Sequence, residues 1–472
     1  MAGAGSGAHP PRVLGFTDLV LFYVVTGISL RWIATAAAAG PSAIVIWIGA
    51  MLCFFVPLAC AVIELSSRYP QEGGLYIWTR QAFGPLAGFM AGWSYFTSNL
   101  PYFPAVFYFD AGNALFIGGE SWRHLHDDPA YFMLFSLVAL AAITALNIFG
   151  LRFAKWMNNV GAVGMWLPAL IVIAMGALAW TRFGSATDFS ATTMTPSVQI
   201  KDMLFWASLT FALSGCEAAS FMSGEIKDAR RTIPRALIVG GAIIVFCYVV
   251  GTVAVLVAMP ASEVNTLQGL IQAGAATALK LNMAWVIVPL AILITIGNLG
   301  AASGFLGAAA RIPFVIGIER SLPPVFGRVH PRWGTPYVAL MLQGGLGALF
   351  VVLGQLGTGV KGAYDVLVSM GIIAAFIPFA LVFLAVIRLQ REPAGPEIWR
   401  LPGGRVSSTA LACLGLVTTL AGILLASMPA ADEPNKPLAV AKILGLTAML
   451  LGIGWAIYAA SRRRAAREAA FA

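Results

Sequence analysis

The chain has 472 residues, of which 59% are hydrophobic and only 10% are charged, and its formal net charge is +9. A soluble domain averages about 45–50% apolar and about 25% charged residues, so this composition excludes an ordinary soluble protein. Apolar runs of roughly 20 residues, the length that crosses the hydrocarbon core as a helix, recur along nearly the whole chain. The composition therefore predicts an all-α polytopic membrane protein.

The apolar runs predict twelve transmembrane helices. Basic residues lie at the ends of these runs and do not form one patch, so no nucleic-acid partner is expected. With the N-terminus inside, the cytoplasmic connections hold 21 of the 29 Lys and Arg residues, and the other side holds seven. Both termini are therefore expected in the cytoplasm of a plasma membrane, a bacterial inner membrane as the first choice. The predicted spans are 17–38, 41–66, 83–113, 130–149, 155–180, 202–224, 234–259, 283–310, 336–356, 362–390, 406–428 and 438–460.

Two of these spans carry Gly and Ser in mid-membrane beside a charge, the first around Gly27 and the sixth around Gly215. A broken helix survives in lipid only where it lines a cavity or is buried in protein. Two breaks five spans apart fit an inverted five-plus-five repeat, whose half-helices offer N–H groups to an anion and carbonyls to a cation. The alternative is that both glycines only permit close helix packing. Their matched placement favours a binding site.

Two charged residues, Arg31 and Glu217, lie deepest in the predicted spans. A charge at the bilayer centre costs at least about 2.5–3.5 kcal/mol on insertion scales, so such residues usually serve function. The two either bind a solute or form a buried ion pair that joins two helices. Asp110 is expected to be shallower and to reach the interface or a vestibule. Structural ion pairs with loop arginines are expected for the acids near cytoplasmic ends, which are Asp18, Glu64 and Glu225.

Several segments resemble motifs of the amino acid–polyamine–organocation superfamily of secondary transporters, and together they extend over about residues 13–390. The clearest is the stretch that follows Gly215-Cys216-Glu217-Ala218, where residues 224–236 read GEIKDARRTIPRA. The other matching segments are residues 39–41, 64–70, 73–76, 83–93, 329–336 and Pro323.

The resemblance implies a LeuT-like fold in which spans one to five recur inverted as six to ten. The chain would then divide into a cytoplasmic tail at 1–16, an inverted-repeat transport core at 17–390, peripheral helices at 391–460 and a basic cytoplasmic tail at 461–472. The segment 259–282, between spans seven and eight, is either a short surface helix or an irregular loop.

The resemblance also implies that substrate lies between the first and sixth spans, gated by aromatic side chains. Phe211 falls where arginine/agmatine-type members place a gating tryptophan. Glu217 falls where those members and glutamate/GABA-type members carry Glu, and a desolvated carboxylate there could exchange a proton. The predicted substrate-binding residues are Thr26, Gly27, Ile28, Ser29, Arg31, Tyr95, Phe211, Ser214, Gly215, Cys216 and Glu217, with Glu217 also predicted to couple protons.

The chain departs from the family pattern at two positions. Members usually read Gly-x-Gly-Ile-Phe at the first break, whereas residues 25–29 read Val-Thr-Gly-Ile-Ser, which alters the backbone cradle for an α-carboxylate. The unusual Arg31 could replace that cradle by gripping a carboxylate bidentately, or could neutralise Glu217. Some members carry a sodium-mimicking Lys in span five, but the aligned residue is Met165. Sodium coupling or plain exchange therefore stays open. Ser303 in span eight is either a sodium ligand or, as is more common for such a residue, a small packing residue.

The predicted function is that of a secondary transporter, a permease or exchanger, which moves an amino acid by alternating access. Its expected partners are a small-molecule substrate, the lipid bilayer and a coupled H⁺ or Na⁺; no cofactor and no metal site are expected. One alternative is a polyamine or organic-amine transporter, since residues 107–110 resemble polyamine-type members and Asp110 could attract a cationic amine. Another is a non-transporting sensor or accessory protein. An enzyme is not expected, because the histidines, His9, His124, His126 and His330, lie in loops or the tail.

Overall fold

The computed structural model describes residues 14–71, 73–149, 151–197, 200–313, 322–357, 359–393, 395, 398–429 and 433–470. In these ranges the chain is helical, and one isolated parallel β-bridge joins Leu14 to Ile226. Most of the predicted N-terminal tail, with His9, lies outside the described residues. So does the side chain of Glu225, and its predicted ion pair stays a prediction.

The helices of nine or more residues in the described ranges are labelled α1 to α15. They are α1 Phe16–Gly27, α2 Leu30–Ala38, α3 Ser42–Arg68, α4 Leu75–Phe83, α5 Pro85–Gly118, α6 Pro129–Ile148, α7 Leu151–Phe183, α8 Ile200–Ala212, α9 Ala229–Ala258, α10 Gly269–Lys280, α11 Ile287–Ala309, α12 Tyr337–Gln355, α13 Val360–Leu389, α14 Gly404–Ala426 and α15 Lys436–Ala470.

Nine helices of the described ranges are long and apolar enough to cross a membrane. The pair α1 and α2 makes a tenth span if it is counted as one, and its halves are bent by 43°. The long α5 and the shorter α8 lie outside this set. Buried Ser and Asn residues interrupt the apolar run of α5, because this helix lies inside the bundle and not against lipid. The chain is thus a multi-pass, all-α membrane protein, while the count of twelve spans stays a prediction.

Two helices were not predicted as helices of their own, α4 and α10. The open question about 259–282 is settled in favour of a helix for Gly269–Lys280, but this helix is not at the surface. Leu270 and Ile271 are fully buried, and α10 packs among α2, α7, α9 and α11. A short helix of Gly and Ala carries little periodic signal, which is why the sequence left the question open. The last helix, α15, also runs ten residues beyond the predicted end at 460.

The centre of the bundle is formed by α5, which packs against α11 and α13, while α11 packs closely on α7. Glycines make that last contact possible. A Cβ on Gly161 would lie 2.6 Å from Cα of Gly300, and a Cβ on Gly164 would lie 2.7 Å from Cα of Gly297. Small residues let membrane helices approach to backbone contact. This contact fixes α11, which contributes to the wall of the candidate site.

Candidate functional site

The first half of the site is the interruption between α1 and α2. Helix α1 ends at Gly27, Ile28 and Ser29 are extended, and α2 begins at Leu30. The N–H of Ile28 donates to the carbonyl of Val24 at 2.9 Å, and the N–H of Ser29 donates to the hydroxyl of Tyr248 at 3.0 Å. These two donors of the break are therefore bound within the protein.

The second half is the interruption after α8, which ends at Ala212. Gly215 has φ +108°, a backbone conformation that residues with a Cβ rarely adopt. The chain then continues as 3₁₀ turns over Ala218–Glu225. The N–H of Ser214 donates to the carbonyl of Phe211 at 2.9 Å, and the N–H of Gly215 donates to the Glu217 carboxylate at 3.0 Å. Here too these two backbone donors have partners.

The two glycines that mark these breaks serve different physical needs. A Cβ on Gly27 would lie 2.4 Å from Cδ1 of Ile244 on α9, so Gly27 allows two helices to pack closely. A Cβ on Gly215 would lie 3.4 Å from the carbonyl oxygen of Thr26, which is ordinary contact, so Gly215 is required by its φ angle. The alternative that these glycines permit close helix packing therefore holds for Gly27. Gly215 instead makes the turn that brings the second break against the first.

Tyr248 on α9 connects the two breaks and was not predicted. Its hydroxyl accepts from Ser29 N–H and lies 2.8 Å from the carbonyl of Gly27 and 3.3 Å from that of Ala212. Its ring stacks on Trp47 at a centroid distance of 4.5 Å. The available signal in the sequence was that Tyr248 is the one tyrosine in the predicted span 234–259.

A cavity of about 60 Å³ lies where the breaks meet. Of the eleven predicted residues, nine line it, and two, Ile28 and Cys216, are buried behind its wall. Its walls also come from α5, α9, α11 and α13, which the prediction mostly missed. The complete lining is Thr26, Gly27, Ser29, Arg31, Trp32, Tyr95, Ser98, Asn99, Tyr102, Phe211, Ala212, Ser214, Gly215, Glu217, Tyr248, Phe305, Ala375 and Phe379.

Glu217 is 2% exposed, and both of its carboxylate oxygens have hydrogen-bond donors. The hydroxyl of Tyr95 on α5 donates to Oε1 at 2.9 Å, and the N–H of Gly215 donates to Oε2 at 3.0 Å. A buried carboxylate needs such donors to offset its lost hydration. Glu217 thus connects α5 to the second break and still presents its carboxylate to the cavity.

Arg31 is also 2% exposed, but its surroundings are aromatic. Its guanidinium carbon lies 4.3 Å from the ring centre of Trp32 and 5.1 Å from that of Tyr102. Its Nε and Nη1 atoms are buried without a hydrogen-bond partner. Among the described residues, no ion pair joins Arg31 to Glu217. The predicted alternative of a mutual salt bridge is therefore wrong for this conformation.

An aromatic cluster encloses one side of the cavity. Phe211 contacts Trp32 edge-to-face at 5.8 Å and Phe376 at 5.8 Å. Tyr95 packs against Phe221 at 5.0 Å, and Tyr102 packs against Phe305 at 5.2 Å. Of these rings, Trp32, Tyr95, Tyr102, Phe211 and Phe305 form the aromatic part of the cavity wall.

The two accessory residues Asp110 and Ser303 are both buried within the bundle, and only Asp110 is placed differently than expected. Asp110 does not reach an interface or vestibule: it is fully buried and accepts from Nδ2 of Asn298 at 3.2 Å. Helices surround α5 on all sides, so depth along the chain did not predict exposure. Ser303 is fully buried, and its hydroxyl lies 2.9 Å from Nδ2 of Asn147, which gives it a helix-packing partner.

The acids near the helix ends also have structural partners. Glu64 pairs with Arg68 at 3.7 Å and accepts from the hydroxyl of Ser408 at 2.8 Å, as predicted for a structural ion pair. Asp18 instead accepts from the N–H of Gly15 at 2.9 Å at the start of α1. His126, in the connection between α5 and α6, hydrogen-bonds to Gln268 at 2.8 Å.

Comparison with known proteins adds a family to this geometry. A family described as amino acid permease matches residues 14–450. An uncharacterized transporter of Legionella pneumophila is 27% identical over 432 residues, which cover 91% of this chain and 92% of that protein.

Two further relatives have names that state a substrate. A probable agmatine/putrescine antiporter of Lactococcus lactis is 22% identical, with 84% of each chain covered. A serine/threonine exchanger of Bacillus subtilis is 24% identical, with 71% of this chain and 72% of that protein covered. Among solved structures, MhsT in complex with L-phenylalanine matches with a TM-score of 0.58 and 12% identity, covering 86% of this chain and 98% of that one. That likeness identifies a LeuT-type fold.

Proposed function

The chain belongs to the amino acid permease family, and on that premise we propose that it is a secondary transporter which moves an amino acid across the membrane by alternating access. The observation that carries the proposal is the cavity between the two helix breaks, which holds one buried cation and one buried carboxylate. Charged groups are costly at this depth and mark solute pathways. Broken helices at the bilayer midplane are where such transporters bind their solutes.

The proposed roles follow from position around the cavity. Arg31 and Glu217 bind the charged groups of the solute, and Glu217 also exchanges a proton during the cycle. Phe211 and Tyr95 cover the bound solute. The backbone around Gly27 and Gly215, with Thr26, Ser29 and Ser214, shapes the remaining wall, and Ile28 and Cys216 support it from behind.

We place the protein in a plasma membrane, as a bacterial inner-membrane protein with both termini in the cytoplasm. The proposal rests on the excess of Lys and Arg in the connections assigned to that side. The driving ion is H⁺ if Glu217 titrates during the cycle, and Na⁺ or solute exchange otherwise. Residues 17–390 form the transport core of this proposal, and residues 391–460 lie at its periphery.

Uptake of radiolabelled amino acids into proteoliposomes of the purified protein tests this function. We expect saturable uptake that exceeds the flux into protein-free liposomes, and faster uptake when unlabelled solute is loaded inside if the protein is an exchanger. Specific binding with no flux for any amino acid or polyamine would overturn transport and support the sensor alternative.

A polyamine or organic amine is the second candidate solute. The Glu217 carboxylate in the cavity favours it, because a carboxylate can pair with an ammonium group. The name of the Lactococcus lactis relative points the same way. Putrescine and agmatine therefore belong in the same uptake assay, where a higher flux for either than for any amino acid would select this candidate.

A further inference from the structure

Arg31 carries a positive charge that the structure does not compensate. Its Nε and Nη1 atoms lack hydrogen-bond partners although the residue is 2% exposed. The side chains around the guanidinium, Trp32, Tyr102 and Tyr364, are uncharged aromatic residues. A buried charge without a partner is strongly unfavourable, whereas a planar guanidinium binds a carboxylate through two parallel hydrogen bonds. Because Arg31 lines the cavity, a bound anion can supply that missing partner.

Four backbone donors of the breaks are already used within the protein. The N–H groups of Ile28 and Ser29 at the first break, and of Ser214 and Gly215 at the second, already donate within the protein. A carboxylate in the cavity would have to displace these bonds to use these four donors. Nε and Nη1 of Arg31 hold no bond that an anion would have to displace, but both atoms are buried, so the side chain must turn to present them to the cavity.

The charge pattern of the cavity also discriminates between solutes. The site has one cation, Arg31, and one carboxylate, Glu217, which do not pair with each other. A zwitterion matches both charges, whereas a dication such as putrescine would place a second positive charge near Arg31. Juxtaposed like charges in a desolvated site cost several kcal/mol.

The volume of the cavity in this conformation favours a small solute. The cavity holds about 60 Å³. With about 10–15 Å³ for each water-sized group, about five such groups fit. At the two ends of that range about four to six groups fit, which includes glycine, with five non-hydrogen atoms, and alanine, with six; serine, with seven, lies just above it.

From these observations we infer that the solute is a small zwitterionic amino acid whose carboxylate is bound by the side chain of Arg31. This inference rests on the proposed transport function and names its substrate class. The guanidinium of Arg31 binds the carboxylate of the solute in place of backbone N–H groups, and Glu217 faces the ammonium group of the solute. Trp32 and Tyr102 hold the guanidinium plane by cation–π contacts.

The test compares each acid with its amide on the intact, purified wild-type protein. Glycine, L-alanine and L-serine are titrated against glycinamide, L-alaninamide, L-serinamide and putrescine, with the thermal unfolding midpoint as the readout, because a bound ligand raises it by mass action. The amides keep the ammonium group and nearly the same volume. We expect the best acid to bind at least about 100-fold more tightly than its amide, as for loss of a buried charged hydrogen bond. Equal binding of acid and amide, or tighter binding of putrescine, would overturn the inference.

Substitutions of two arginines test whether Arg31 causes the difference in binding between each acid and its amide. Arg31→Met should abolish the difference between acid and amide, and Arg31→Lys should retain part of it, because a single ammonium keeps the charge but not the two-pronged geometry. Arg332, whose guanidinium lies 5.7 Å from the ring of Trp333 in an exposed loop, is the matched control. Arg332→Met should leave the acid-to-amide ratio unchanged. A wild-type ratio that survives in Arg31→Met would refute the assignment to Arg31.

Parallel uptake into proteoliposomes separates this inference from the proposed function. Flux of amides or putrescine as fast as that of the acids would leave transport standing and overturn the substrate class. An absence of both binding and flux for every probe would overturn the two proposals together.

Discussion

The hydroxyl of Tyr95 donates a 2.9 Å hydrogen bond to Oε1 of Glu217 across 122 positions of sequence. It joins the long central helix α5 to the break that follows α8. Because the other carboxylate oxygen accepts from Gly215 N–H, any change in the protonation or position of Glu217 alters both the helix contact and the turn. This links the charge of the cavity to the geometry of the break.

Replacing Glu217 with Gln removes the group proposed to exchange a proton. We expect transport in Glu217→Gln to vary by less than about twofold between about pH 5.5 and pH 8, where the wild type varies more, since glutamine does not titrate. Initial rates of proteoliposome uptake across this range measure it. In the comparison variant Tyr95→Phe the carboxylate remains, so the pH dependence should persist with a shifted midpoint. An unchanged pH profile in Glu217→Gln would show that its proton role is wrong.

Loss of the Tyr248 hydroxyl should weaken the contact between the two breaks. In Tyr248→Phe the N–H of Ser29 loses its partner, and a buried unsatisfied donor costs about 1–3 kcal/mol. We therefore expect a lower unfolding midpoint and slower uptake. Tyr23→Phe is the matched control, because the Tyr23 hydroxyl is buried without a hydrogen-bond partner and its removal should be neutral or stabilising. Equal destabilisation by both substitutions would contradict this role for Tyr248.

Gly27 is required by lack of space and Gly215 by its backbone conformation, so the same substitution should affect the two positions differently. Gly215→Ala places a Cβ at φ +108° and should cost at least about 1–2 kcal/mol whatever its neighbours are. Gly27→Ala clashes with Cδ1 of Ile244, so trimming that side chain should restore stability. Thermal unfolding of Gly27→Ala alone and with Ile244→Val measures this. Failure of Ile244→Val to rescue Gly27→Ala would mean that Gly27 is also needed for its backbone.

The buried pair of Glu64 and Arg68 should matter for stability and not for solute binding. Glu64→Gln leaves Arg68 without its counter-charge, and removing one partner of a buried pair typically costs about 3–5 kcal/mol. The exposed pair of Asp228 and Arg231 offers a comparison, for which Asp228→Asn should cost less than about 1 kcal/mol. Unfolding midpoints and the KM for uptake should be measured together. A raised KM with an unchanged midpoint in Glu64→Gln would contradict the structural role.

Composition and local pattern were sufficient for the fold class and for part of the site. Lipid requires long apolar runs, so the spans are visible along the chain. Gly27, Gly215, Arg31 and Glu217 stand out because small and charged residues are conspicuous inside those runs. Each of them lies at the cavity. The same reasoning did not identify Tyr248 or Tyr102, because an aromatic residue in an apolar helix is unremarkable until its partners are known.

How deeply a residue or helix is buried, and which residues it contacts, depended on segments that are distant in the sequence. Asp110 was expected near an interface but is buried against Asn298 of α11, 188 positions away. Helix α10 was an open question in the sequence, and its burial depends on helices from both ends of the core.

The sequence by itself therefore determined that this is a helical membrane protein, and it predicted two interrupted spans with a charge in each, since each of these is a local property of the chain. Only the tertiary structure decided what those charges do. It gave Glu217 two donors, placed Arg31 between aromatic rings with no carboxylate partner among the described residues, and kept the two apart. Hydrogen bonds and ion pairs act over a few ångströms, so their partners are set by how the helices pack and not by spacing along the chain.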